Sequence, residues 1–125
     1  MSGRILVVED NKINQKVISF LLARLGHVFD VVATGAACLK AIEVQRYRLI
    51  LMDLRLPDMS GCDAAKLIRK QGFTVPIVAV SAEDIPTGLR KCLDAGMDGY
   101  LEKPIAIAKL EELLNQWLPA AKLVS

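Results

Sequence analysis

Short apolar runs alternate along the chain with longer stretches whose apolar residues recur every three to four positions. Residues 5–8 (ILVV) are β-branched and end in Glu9-Asp10, the pattern of a parallel strand buried on both faces. Asn11 can open the next segment, where Ile13, Val17, Phe20, Leu21 and Leu25 recur at helical spacing until Gly26 closes it. Residues 28–33 predict a second strand, and after Thr34-Gly35 a helix carries Leu39, Ile42 and Val44. Residues 49–52 predict a third strand with Asp53 at its carboxyl end. The turn cluster Pro57-Asp58-Met59-Ser60-Gly61 then precedes a helical stretch over 62–70 that presents Ala65 and Ile68.

Residues 77–80 predict the fourth strand, with Pro76 acceptable at its beginning and Ser81 at its end. Pro86 limits the start of the following helix and fits its first turn after Asp84; Leu89, Cys92 and Leu93 supply the stripe and Gly96 the cap. Residues 99–102 form a short last strand that ends at Lys103-Pro104. Ile107, Leu110, Leu113, Leu114 and Trp117 mark the final helix, stopped by Pro119. Strands alternating with helices imply right-handed crossovers and a parallel sheet covered on both faces, hence a five-stranded α/β layer fold. Without an internal repeat or linker, the chain reads as one domain over residues 4–118 and a C-terminal tail over 119–125.

Composition adds limits to this picture. A chain of 125 residues can bury roughly two-thirds of its extended surface, so no disulfide or structural metal is required for size. Lys and Arg number 16 against 14 Asp and Glu, with no basic run, so no direct nucleic-acid contact is expected. Cys38, Cys62 and Cys92 lack disulfide or metal-site spacing and read as reduced thiols of an intracellular protein. No apolar run reaches membrane-spanning length, so no direct membrane contact is expected of this segment, whatever anchors a parent protein.

The chemistry collects where strands end. An open parallel sheet gathers ligands beyond the carboxyl ends of its strands, and four such ends supply Glu9-Asp10, Asp53, Ser81 and Lys103. Three carboxylates repel one another, a repulsion that a hard, oxygen-seeking Mg²⁺ offsets. Asp10 and Asp53 are the direct-ligand candidates, with Glu9 reaching the ion through water. Asp53 suits an oxygen nucleophile that becomes an acyl phosphate. Lys103 and the Ser81 hydroxyl, helped by the Ala82 N–H, suit the phosphoryl oxygens. Pulling Ser81 and Lys103 toward a phosphorylated Asp53 would move two strand-end loops and, through them, Tyr100. Taken singly, each residue also has a structural reading: Glu9-Asp10 or Asn11 as helix caps, Asp53 as a turn cap, Lys103 as a surface charge, Tyr100 as a packed aromatic. Their shared placement is what favours a site.

ILVVEDN at residues 5–11, MDLRLPDMSG at 52–61, VAVSA ending at Ala82 and GYLEKP at 99–104 together make the chain resemble the receiver domains of two-component response regulators. The likeness spans nearly the whole sequence and includes receivers attached to hybrid histidine kinases, most visibly in Asn11-Lys12-Ile13-Asn14-Gln15. It implies a flavodoxin-like (CheY-like) three-layer fold with strand order 2-1-3-4-5 and Mg²⁺ at Glu9, Asp10, Asp53 and the Arg55 backbone carbonyl. It further implies phosphoacceptance and self-catalysed dephosphorylation at Asp53, coupling through Ser81 and Tyr100, and a cis Lys103-Pro104 bond. The implied phosphodonor is phosphohistidine on a histidine kinase or a histidine-containing phosphotransfer domain. Asn11, Asn14, Val17, Ile18, Leu21 and Pro104 are the implied docking residues. Arg55 and Glu83 resemble positions that modulate dephosphorylation, where opposite charges could pair across the site. The resemblance places the domain in the cytoplasm, alone or as the cytoplasmic portion of an inner-membrane hybrid kinase.

Ile85-Pro86 departs from the usual polar opening of the fourth receiver helix and puts that helix's geometry in doubt. The alternative function is therefore a receiver-fold interaction module that works without phosphorylation. A haloacid-dehalogenase-like phosphatase would place a second Asp two positions after the nucleophile, where this chain has Arg55. A flavodoxin-like electron carrier would require a phosphate-cradling loop after the first strand, and none is present.

Overall fold

The computed structural model describes residues 4–82 and 85–118. The strands are β1 (Arg4–Val8), β2 (Phe29–Val32), β3 (Tyr47–Asp53), β4 (Ile77–Ser81) and β5 (Gly99–Glu102). The helices between and after them are α1 (Lys12–Arg24), α2 (Gly35–Val44), α3 (Gly61–Lys70), α4 (Ile85–Asp94) and α5 (Ile107–Trp117). All strand pairs are parallel, in the order β2-β1-β3-β4-β5. The order reverses at β1, so the crevice between β1 and β3 is the switch point where such sheets bind ligands.

Alternation along the strands divides the core into two layers. Leu6, Val8, Ile50, Met52, Ile77 and Ala79 face one side, where Cys38, Ile42, Ala64, Ala65, Ile68 and Cys92 of α2, α3 and α4 cover them. Ile5, Val7, Leu49, Leu51, Val78 and Val80 face the other, under Ile18, Leu22, Leu110 and Leu114 of α1 and α5. Both faces are buried, which is why these strands read as continuous apolar runs.

Among the described residues, Asn11, Thr34 and Ser60 cap α1, α2 and α3 by accepting the backbone N–H of Asn14, Ala37 and Asp63. Gly26 and Gly96 close α1 and α4 with φ of +85° and +92°, which costs a glycine little. Helix α4 begins at Ile85, so Pro86 does sit in its first turn. Strand β3 starts two residues earlier than expected, because Arg4 pairs with Tyr47 through an irregularity in the β1 register. The expected tail, residues 119–125, and Pro119 with it lie outside the described residues.

Helix α1 departs most from its apolar pattern. Ile13, Val17 and Phe20, part of the helical spacing, are exposed, whereas Ile18 and Leu22 are buried and Leu21 and Leu25 pack at the core edge. The helix carries apolar residues on two faces, and only the sheet decides which one is covered. Val44 is likewise exposed at the end of α2. Leu22→Ala should therefore cost about 2–5 kcal/mol of stability, and Phe20→Ala no more than about 0.5 kcal/mol, read as urea unfolding midpoints.

Candidate functional site

The strand register brings the candidate residues to one edge of the sheet. Val8 pairs with Met52, Asp53 with Val80, and Ser81 with Glu102, so Glu9, Asp53, Ser81 and Lys103 emerge at neighbouring strand ends. They line an open cleft of roughly 550 Å³ together with Asp10, Asn11, Asn14, Arg55 and Ala82. Carboxylate oxygens of Glu9, Asp10 and Asp53 all lie within 4.8 Å of one another. Glu9, Asp53 and Ser81 are buried, and Asp10 is exposed.

Lys103 reaches into this cluster. Its Nζ donates to Glu9 Oε1 at 2.9 Å and stands 3.4 Å from Asp53 Oδ2. Glu9 Oε2 accepts the Asn11 N–H at 3.0 Å, so both oxygens of that carboxylate are already engaged. Gln15, which the sequence placed in the segment resembling hybrid-kinase receivers but gave no site role, donates from Nε2 to the Glu9 carbonyl at 2.6 Å and ties α1 to the end of β1. The sequence does not show this contact, which exists only once α1 turns back over the strand end.

Asp53 Oδ1 accepts the Arg55 N–H at 3.1 Å. Burial nevertheless pushes the Asp53 pKa above the ordinary carboxylate value; Glu9 adds to the rise, while the Arg55 N–H and Lys103 oppose it. The Lys103 backbone N–H donates to the Ser81 carbonyl at 2.7 Å, joining the ends of β4 and β5, and the Lys103-Pro104 bond is cis. Tyr100 is half-buried on β5 against the layer formed with α2, α3 and α4.

The donor set fits a hard divalent ion. Three carboxylates facing one ammonium leave an excess of negative charge, and every side-chain donor in the acidic cluster is oxygen. Glu9, Asp10, Asp53 and Arg55 all line the cleft.

Other assignments fare differently. Asn14, Val17 and Pro104 line a small, mostly apolar recess of about 120 Å³ beside Glu9 and Lys103, with Asn11 at the neighbouring cleft. Ile18, buried beneath α1, lines the floor of the same recess, and Leu21 is partly buried at the core edge; Val17 is exposed, as are Ile13 and Phe20 on the same helix. Glu83, the suggested partner of Arg55, lies outside the described residues.

The family described as the response regulator receiver domain matches residues 5–115. The chain is 35% identical to Probable histidine kinase 1 of Oryza sativa subsp. indica, over 94% of this chain and 16% of that protein. It is also 35% identical to the sensor histidine kinase GacS of Pseudomonas protegens, over 91% and 13%. It therefore spans a small part of these much longer relatives. Among solved structures, the receiver domain of sensor histidine kinase PA1611 from Pseudomonas aeruginosa PAO1, with a magnesium ion coordinated in its active-site cleft, superposes with a TM-score of 0.86. That pair shares 41% identity over 95% of this chain and 99% of the other. The receiver domain of the Saccharomyces cerevisiae response regulator Ssk1, crystallised with the histidine phosphotransfer protein Ypd1, matches at a TM-score of 0.84. Its identity is 31%, over 94% of this chain and 89% of that one.

A carboxyl whose folded-state pKa is raised stabilises the fold while protonated, and that contribution is lost as pH rises through the folded pKa. Ionised Asp53 thus opposes folding near neutral pH. Asp53→Asn should unfold at a higher urea concentration than wild type in chelator at pH 7, and added Mg²⁺ should narrow the gap by stabilising wild type.

Proposed function

Because the chain belongs to the response regulator receiver domain family, we propose that Asp53 is its phosphoacceptor and that the phosphoryl group comes from phosphohistidine on a histidine kinase or phosphotransfer domain. The observation that carries this reading is Lys103 Nζ lying 2.9 Å from Glu9 and 3.4 Å from Asp53 in a cleft that also holds Asp10. An Asp53 oxygen attacks phosphorus, the phosphorus–nitrogen bond to the donor imidazole breaks, and an acyl phosphate remains on Asp53.

Lys103 faces the negative charge of the transferring group, and the Ser81 hydroxyl and Ala82 N–H complete its hydrogen bonding from the end of β4. Mg²⁺, held by Asp10, Asp53 and the Arg55 carbonyl with Glu9 behind them, would neutralise charge on the phosphoryl oxygens. The magnesium in the PA1611 receiver domain supports this assignment. The same site then hydrolyses the acyl phosphate or passes the group onward. Drawing Ser81 and Lys103 toward the new oxygens shifts the β4 and β5 end loops, with Tyr100 following.

Docking of the donor falls to the exposed face of α1 and to Pro104. Val17, Asn14 and Pro104 border the apolar recess next to Lys103, and Ile13 and Phe20 extend it as an exposed apolar stripe. The Ypd1 complex of the Ssk1 receiver supports a phosphotransfer domain as the partner class.

Incubation with a small acyl phosphate and Mg²⁺ should add one phosphoryl mass to wild type and none to Asp53→Asn; Lys103→Ala should slow the addition on the order of 10²–10³-fold. Wild type that stays unlabelled while Mg²⁺ is bound would leave only the interaction-module reading. Val17→Asp should cut transfer from a phosphorylated histidine phosphotransfer protein by about tenfold or more, yet leave labelling by the small acyl phosphate unchanged.

A further inference from the structure

Residues 54–60 connect the phosphoacceptor to α3 and carry Arg55, and this loop is fastened at three levels. At its base the Gly61 N–H donates to the Leu54 carbonyl at 2.9 Å, and a Cβ on Gly61 would strike the Asp53 carbonyl oxygen. At its neck Arg55 and Ser60 form an antiparallel bridge. At its tip Asp58 leaves the loop altogether: Oδ1 accepts the Gly35 N–H and Oδ2 the Ala36 N–H, each at 2.9 Å. Met59 lies over Gly35, where a Cβ would come within 2.6 Å of its Cγ and Sδ.

These contacts share one helix end between two sources. Thr34 Oγ1 accepts the Ala37 N–H at 3.0 Å and the Thr34 carbonyl accepts Cys38 N–H, so α2 already has an ordinary N-cap. The Gly35 and Ala36 donors are met instead by a carboxylate more than 20 residues along the chain. Asp58 is solvent-exposed, so burial does not hold it there; charge-assisted bonds to the positive end of α2 do. The Ala36 and Gly35 N–H groups keep its carboxyl below the usual range and hence ionised. Between this anchor and Arg55 stand only Leu56, packed on the core, and Pro57, whose ring fixes its φ. The tip and Arg55 are thus joined by a two-residue link.

We propose that Asp58 is a positioning residue for the metal site: by fastening the loop tip to α2 it sets the Arg55 carbonyl against Asp53. This inference rests on the reading that Arg55 and Asp53 hold Mg²⁺.

The full chain, confirmed folded by circular dichroism, is titrated with Mg²⁺ by calorimetry as wild type, Asp58→Ala, Asp58→Asn and Thr34→Ala. Thr34→Ala weakens the same turn of α2 without touching the loop. Asp58→Ala should lose Mg²⁺ affinity on the order of tenfold, as other groups behind metal ligands do. Asp58→Asn, which keeps one acceptor, should fall between that variant and wild type. Thr34→Ala should bind like wild type although its unfolding midpoint drops. Equal affinity in Asp58→Ala and wild type, or equal losses in Asp58→Ala and Thr34→Ala, would overturn the positioning role. A wild-type chain that bound no Mg²⁺ would overturn the metal reading itself, and the role of Asp58 with it.

Discussion

The Lys103 ammonium set between the Glu9 and Asp53 carboxylates is the interaction on which the site depends. At these separations two unit charges in a partly buried setting attract by about 5–6 kcal/mol before the cost of desolvating them. Glu9 and Asp53 are both buried and their repulsion would otherwise raise the cost of folding the cleft. Lys103 offsets part of that repulsion, yet Asp53 is still held above the ordinary carboxylate pKa. Burial is the main cause of that rise and the Glu9 charge adds to it, and a hard divalent cation among the three carboxylates would offset both.

The backbone makes that electrostatic arrangement responsive. Lys103 arrives from β5 and Ser81 from β4, and the Lys103 N–H on the Ser81 carbonyl couples the two loops. Glu9 is steadied from behind by Asn11 and Gln15, and Asp53 by Arg55. The carboxylate side is braced by short local contacts and by the Asp58 tether. The ammonium and hydroxyl side comes from the ends of β5 and β4, beyond which α5 and α4 begin.

Several features were legible before any coordinates. Runs such as residues 49–52 announce strands covered on both faces because neither face can tolerate polar side chains. Asn11 and Gly26 mark the two ends of α1 through cap chemistry that depends only on nearby atoms. Acidic residues directly after apolar strands pointed to the cleft because parallel strands present their carboxyl ends together. By contrast, α1 carries two apolar faces, and its sequence does not distinguish Ile18 and Leu22, which are buried, from Ile13, Val17 and Phe20, which are not. Asp58 looked like a turn former, since its partners on α2 are distant in sequence.

The sequence by itself determined the order of strands and helices, the local caps and the kinds of charge available at strand ends, all of which are short-range consequences of polarity and backbone preference. Only the tertiary structure decided which face of α1 is covered, that Lys103 joins Glu9 to Asp53, and that the loop beside Asp53 is moored to α2. Those contacts close long stretches of chain, and their partners become neighbours only when the sheet sets their register.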